Sequence, residues 1–160
     1  MIRLGKKIIK KNSNPYIIAE IGVNHEGSIE IAKLQIKLAK EGGADAVKFQ
    51  SYKAEKLASV NSPAYWDTNL EKTQNQFQLF QKYDSFDEKD YIYLSKYCRE
   101  LNIEFLSTPF DHEAVDYLDP IVSFFKVASA DITNLPLLKK IASKSKPILL
   151  STGASNIDEI

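Results

Sequence analysis

The chain has 160 residues, enough for one domain with a core and too few for two large ones. Its 21 basic and 21 acidic side chains balance, so no overall field favours nucleic acid or an anionic membrane, and no window approaches the roughly 18 apolar residues of a membrane span. One cysteine, Cys98, excludes an intrachain disulfide and fits a reducing cytoplasm, and the basic N-terminus lacks the apolar run of a signal peptide.

Residues 2–10 alternate weakly about Gly5-Lys6-Lys7 and predict a small hairpin, so residues 1–14 read as an extension ahead of a main unit, residues 15–160. Apolar, β-branched residues from Tyr16 predict a strand to Glu20. Ser28 caps a helix to about Glu41, with Ile29, Ala32, Ile36 and Ala39 on its inner face and Gly42-Gly43 at its end. Ala44–Gln50 reads as a second strand. Residues 51–84 are polar and aromatic without a clean strand, the length of a binding loop or lid, and hold a short helix around 71–82. Ser85 with Glu88 predicts a capping box opening a helix to Leu101, whose inner face includes Cys98 as a packed core residue. Strands at Ile103–Leu106, Ser123–Val127 and Pro147–Leu150 then alternate with helices from Asp111 to Leu118 and from Asn134 to Ser143. A last helix, capped by Ser155 or Asn156, begins as the chain stops.

Five strand–helix alternations argue for a parallel sheet with right-handed crossovers. No G-x-G-x-x-G follows the first strand, which disfavours a doubly wound nucleotide fold. A complete (β/α)8 barrel needs about 250 residues. The expectation is therefore an α/β chain carrying the first five units of a TIM barrel.

In a barrel the C-terminal strand ends share one rim. Glu20, Lys48 and Gln50, Ser107 and Thr108, Lys126 and Ser129, and Ser151 and Thr152 would meet there. Lys48 and Lys126 lie within apolar strands, where an unpaired ammonium is expensive, so a use for their charge is expected; structural salt bridges are the rival account. Two lysines with hydroxyls suit a phosphate and a carboxylate, and Glu20 could hold a hydroxyl or move a proton. His25 and His112 lack zinc-like spacing; His112 reads as a surface residue, and His25 as a loop-orienting or metal-binding one. Trp66 could stack on a sugar or pack its loop.

Five strings, YIIAEIGVNHEG, ADAVKFQSYKAEKL, FLSTPFD, FKVASADITNLPLLKKIA and PILLSTG, resemble in order the sialic acid synthase family, the bacterial nonulosonate synthases. The resemblance runs from about residue 15 to the end. It implies a TIM barrel that condenses phosphoenolpyruvate with an N-acetylated amino-hexose and releases phosphate. It also implies a divalent metal, usually Mn2+, whose ligands lie outside these residues, an antifreeze-like C-terminal domain and a cytoplasmic homodimer. By the resemblance Lys48, Thr108, Lys126, Ser129 and Ser151 hold phosphoenolpyruvate, while Glu20, Asn24 and Asp131 face the sugar, with Glu20 and Lys48 catalytic. Ala130-Asp131 stands where the family often has Gly-Glu, so Asp131 keeps the charge one methylene shorter. Pseudaminate and spore-coat polysaccharide synthases would share nearly all these motifs; a non-catalytic half-barrel binding module is the reading from another class. Residues 1–160 alone are expected to be inactive, because strands that close a barrel would be missing.

Overall fold

A computed structural model describes residues 1–153 and 155–160. The chain opens on an antiparallel hairpin, β1 (Ile2–Leu4) and β2 (Lys7–Ile9), turned at Gly5-Lys6. Gly5 takes φ +56, and a Cβ there would run into the Glu104 carboxylate, so the turn needs glycine twice over. After it come β3 (Ile18–Gly22), α1 (Ile29–Glu41), β4 (Ala46–Ser51), α2 (Ala54–Leu57), α3 (Gln76–Tyr83), α4 (Glu88–Glu100), β5 (Glu104–Pro109), α5 (His112–Leu118), β6 (Phe125–Val127), α6 (Leu135–Ala142) and β7 (Ile148–Leu150). Strands β3, β4 and β5 pair in parallel in that order; β6 and β7 form a second parallel pair, with β6 alongside β5. From β3 onward, strands adjacent in sequence are adjacent in space and are joined by helical crossovers, the expected mixed α/β arrangement with a parallel sheet.

Strand side chains alternate between two faces, and the two faces have different company. Val47, Phe49, Phe105, Phe125 and Val127 are buried against Ala32 and Ile36 of α1, Tyr91, Leu94 and Cys98 of α4, Val115 and Leu118 of α5, and Leu137 and Ile141 of α6. The opposite face is apolar only at its lower end. There Ala46, Leu106 and Phe124 form a buried cluster, closed by Leu4 from the hairpin and flanked by Ile18 and Leu149. The hairpin thus floors the inner face. One pleat higher on that face the side chains turn polar: Glu20, Lys48, Thr108 and Lys126.

Helix starts follow side-chain oxygens. Ser28 accepts from the Ile31 N–H and starts α1, and a cap of this kind contributes about 1 kcal/mol. Asp111 and Asn134 cap α5 and α6 as expected. The capping box of α4 is not Ser85 with Glu88: Asp87 accepts from Lys89 and Asp90 N–H groups, and the Asp90 carboxylate answers to the Asp87 N–H. Strand β3 begins at Ile18, two residues later than expected, because Ile17 spends its N–H on the Asp45 side chain and its carbonyl on the Asp45 and Ala46 N–H groups. Residues 155–160 form a turn in which Asn156 accepts from Asp158 and Glu159 N–H groups; the helix expected there is not formed. Cys98 is buried on the inner face of α4, and burial pushes its thiol up to about 12. No helix of the described residues is long and apolar enough to cross a membrane.

Candidate active site

Parallel pairing sets Glu20 opposite Lys48, and Lys48 opposite Leu106, with Gln50 opposite Thr108. The Lys48 ammonium stands 2.5 Å from the Glu20 carboxylate and donates to the Thr108 hydroxyl at 3.3 Å. The partners differ in exposure: the Lys48 side chain keeps 13% of its accessible surface, Glu20 49%. The cation is seated in the protein and the acid reaches solvent. Lys126 belongs to the same cluster. Its half-buried ammonium donates to the Val127 carbonyl, and burial, then repulsion from Lys48, lowers its pKa, with Glu20 pulling the other way.

The strand carrying Glu20 ends in an irregularity. Pairing slips between Glu20 and Gly22, where φ is +58. A Cβ at Gly22 would lie 3.2 Å from Glu20 Oε1 and 3.7 Å from Gln50 Nε2, so the bare glycine leaves room for the acid and the amide beside it. Beneath the rim, the Tyr91 hydroxyl donates to the Gln50 carbonyl at 2.7 Å.

The other expected residues gather less tightly. Ser129 opens the turn after β6, and its hydroxyl lies next to Gly153. The Ser151 N–H donates to the Val127 carbonyl at 3.2 Å, which brings the exits of β6 and β7 together. Asp131 accepts from the Asn134 amide at 3.0 Å, and its other oxygen is buried without a partner among the described residues. Among the described residues no hydrogen bond or ion pair joins Asp131 to Glu20, Lys48 or Lys126. Asn24 is exposed in the β3–α1 loop, whose path is held by the Gln35 side chain donating to the Asn24 carbonyl at 3.1 Å.

One rim expectation needs correction. Ser107 has the opposite pleat parity to Thr108: it is buried on the helix side, 2.6 Å from the Ser51 hydroxyl. His25 also faces the helix layer, stacked on Phe86 with ring centroids 3.9 Å apart and beside Phe49. Burial pulls its pKa down to about 4, so it is neutral near pH 7; the Asp90 charge only partly opposes this. His112 is exposed at the start of α5. Among the described residues no three His, Cys, Asp or Glu side chains come together as metal ligands. Trp66 turns inward to its own loop: its indole N–H donates to the Thr73 carbonyl at 3.3 Å, with the Tyr65 ring edge-on.

A protein-family model described as the NeuB family matches residues 35–160. The chain belongs to the NeuB family. It is 46% identical over 147 residues to the N,N'-diacetyllegionaminic acid synthase of Campylobacter jejuni, covering 90% of this chain and 44% of that protein. To the pseudaminic acid synthase of Helicobacter pylori it is 33% identical over 149 residues, 91% of this chain and 44% of the other. The crystal structure of an N-acetylneuraminic acid synthetase from Leptospira borgpetersenii superposes with a TM-score of 0.80 at 31% identity, over 98% of this chain and 53% of that one. This NeuB chain therefore spans about half the length of the relatives it matches, which are named for the synthesis of three different acids: N,N'-diacetyllegionaminic, pseudaminic and N-acetylneuraminic acid.

Proposed function

We propose that this NeuB rim binds phosphoenolpyruvate and an N-acetylated amino-hexose and joins them into a nonulosonate with release of phosphate. In this reading the parallel sheet is the first part of a (β/α)8 barrel. The observation that carries it is the charge cluster: two ammonium groups, from β4 and β6, and one solvent-reaching carboxylate above an apolar floor. Two partly buried like charges are costly together, and a bound dianion relieves that cost. Lys48 and Lys126 would neutralise the phosphate and carboxylate of phosphoenolpyruvate, with the Thr108, Ser129 and Ser151 hydroxyls orienting them. Glu20, Asn24 and Asp131 would face the sugar.

The electron pair of the C2=C3 bond of phosphoenolpyruvate forms a C–C bond to the aldehyde carbon of the open-chain sugar. The aldehyde oxygen becomes a hydroxyl by taking a proton, which Lys48 would give. Water adds to the cationic C2, and the Glu20 carboxylate takes its proton. The C2–O bond to phosphate then breaks; phosphate leaves with that electron pair and takes the proton held by Glu20, while the C2 hydroxyl oxygen forms the C2=O bond of the keto acid and its proton returns to Lys48. A divalent metal, Mn2+ by the resemblance, belongs to the proposal for the whole protein together with a cytoplasmic homodimer; the steps above use protein side chains alone.

The acceptor we place first is the 2,4-diacetamido-6-deoxy relative of N-acetylmannosamine, on the 46% identity to a legionaminic acid synthase. The test is phosphate release from phosphoenolpyruvate by the protein as its gene encodes it, with Mn2+. N-acetylmannosamine, the 2,4-diacetamido-6-deoxy sugar and its altrose-configured analogue are supplied separately. Release is expected to be fastest with the second. Equal release without any sugar, or none with all three from folded protein, would overturn the proposal.

A further inference from the structure

Residues 51–84 leave and re-enter the fold through one neck. Asp84 accepts from the Ala54 N–H at 2.9 Å and from Lys53 at 2.8 Å, and Lys53 also donates to the Phe86 carbonyl at 3.3 Å. The Tyr52 hydroxyl donates to the Phe80 carbonyl at 3.2 Å. The two ends of this long loop are thus tied to one another by side-chain hydrogen bonds. Just past the neck, Ser85 and Phe86 press on the β3–α1 loop. Phe86 stacks within 9° of parallel on His25, and a Cβ on Gly27 would come within 3.1 Å of Ser85.

His25 holds that loop from inside. Its Nδ1 accepts from the Gly27 N–H at 3.1 Å, where Glu26 and Gly27 take successive left-handed conformations, φ +50 and +77. The ring is 2% exposed, and its Nε2 is buried without a partner among the described residues. A phenyl ring would fill the same space without stranding a polar nitrogen. The choice of imidazole is therefore explained by the acceptor at Nδ1, which keeps the left-handed turn closed.

We propose that His25 is a positioning residue: it clamps the loop that follows Glu20 and carries Asn24 to the neck of the 51–84 loop, so that both form one wall of the acceptor subsite. The consequence for the acceptor rests on the function proposed above; the clamp itself does not. In the protein as its gene encodes it, His25→Phe keeps the stack and removes the acceptor. Amide exchange at Gly27 and at residues 84–86 is expected to quicken together, and KM for the amino sugar to rise about tenfold with KM for phosphoenolpyruvate nearly unchanged, the loss expected for one stranded donor. Gly27→Ala, which leaves His25 intact and pushes the loop off Ser85, should give the same split and serves if the first variant folds poorly. Unchanged exchange at 84–86 in both variants, or equal rises in both KM values, would overturn the clamp. Should the unaltered protein turn over no sugar, the proposed function falls, while the exchange measurement still decides the clamp.

Discussion

Replacing Lys48 by methionine is expected to lower acceptor-dependent phosphate release by about a thousandfold, the range seen when one preorganised charge-stabilising donor is removed. The ammonium is largely buried, fixed by Glu20 at 2.5 Å and Thr108 at 3.3 Å, so little reorganisation accompanies ligand binding. The fold should survive the change. Glu20 is half exposed and regains water, and the methionine stem fills the lysine's path over Ala46 and Leu106, leaving the melting temperature little altered. Lys48→Arg should not restore turnover, because a planar fork cannot take the place of a compact point charge. Steady-state kinetics with a thermal melt checks this; turnover within tenfold of the unaltered protein would contradict it.

Glu20→Gln is expected to separate chemistry from binding. The amide is isosteric, cannot take a proton from water and carries no charge, so kcat should fall by about 10²–10⁴, the usual contribution of a placed acid–base group. Phosphoenolpyruvate binding should be kept or tightened, because the ligand's anions no longer compete with the Glu20 carboxylate for Lys48. Calorimetric titration of phosphoenolpyruvate beside kcat reads both. A weakened affinity with kcat intact would assign Glu20 to binding alone.

Much of this site was legible in the chain because strand alternation is a local rule. Once Ala46 and Leu106 lie on one face, Lys48 and Thr108 must share it, and parallel pairing delivers Glu20 to Lys48. The same rule moves Ser107 to the other face, a parity that grouping whole strand ends at one rim ignored. Helix starts were legible where a single oxygen decides, as at Ser28, Asp111 and Asn134. At α4 two candidate boxes overlap within six residues, and Ser85 is instead packed against Gly27. His25 could not be placed from its neighbours in sequence. Its direction depends on the left-handed turn at Glu26-Gly27 and on Phe86, sixty-one positions away. Residues 51–84 were legible as a long loop but not as a tied one, since Asp84 meets Lys53 and Ala54 across about thirty intervening positions, a pairing no local pattern announces. The short helix expected around 71–82 is α3, Gln76–Tyr83, started by the Asn75 side chain.

The most direct test of the central claim follows the bridging oxygen of phosphoenolpyruvate. With that atom labelled as 18O, acceptor-dependent turnover by the protein as its gene encodes it should deliver the label to inorganic phosphate, because the C2–O bond breaks. Label retained in the carbon product would mean cleavage of the P–O bond and a phosphoryl-transfer reaction instead, and the condensation proposed for the Glu20–Lys48–Lys126 cluster would be wrong.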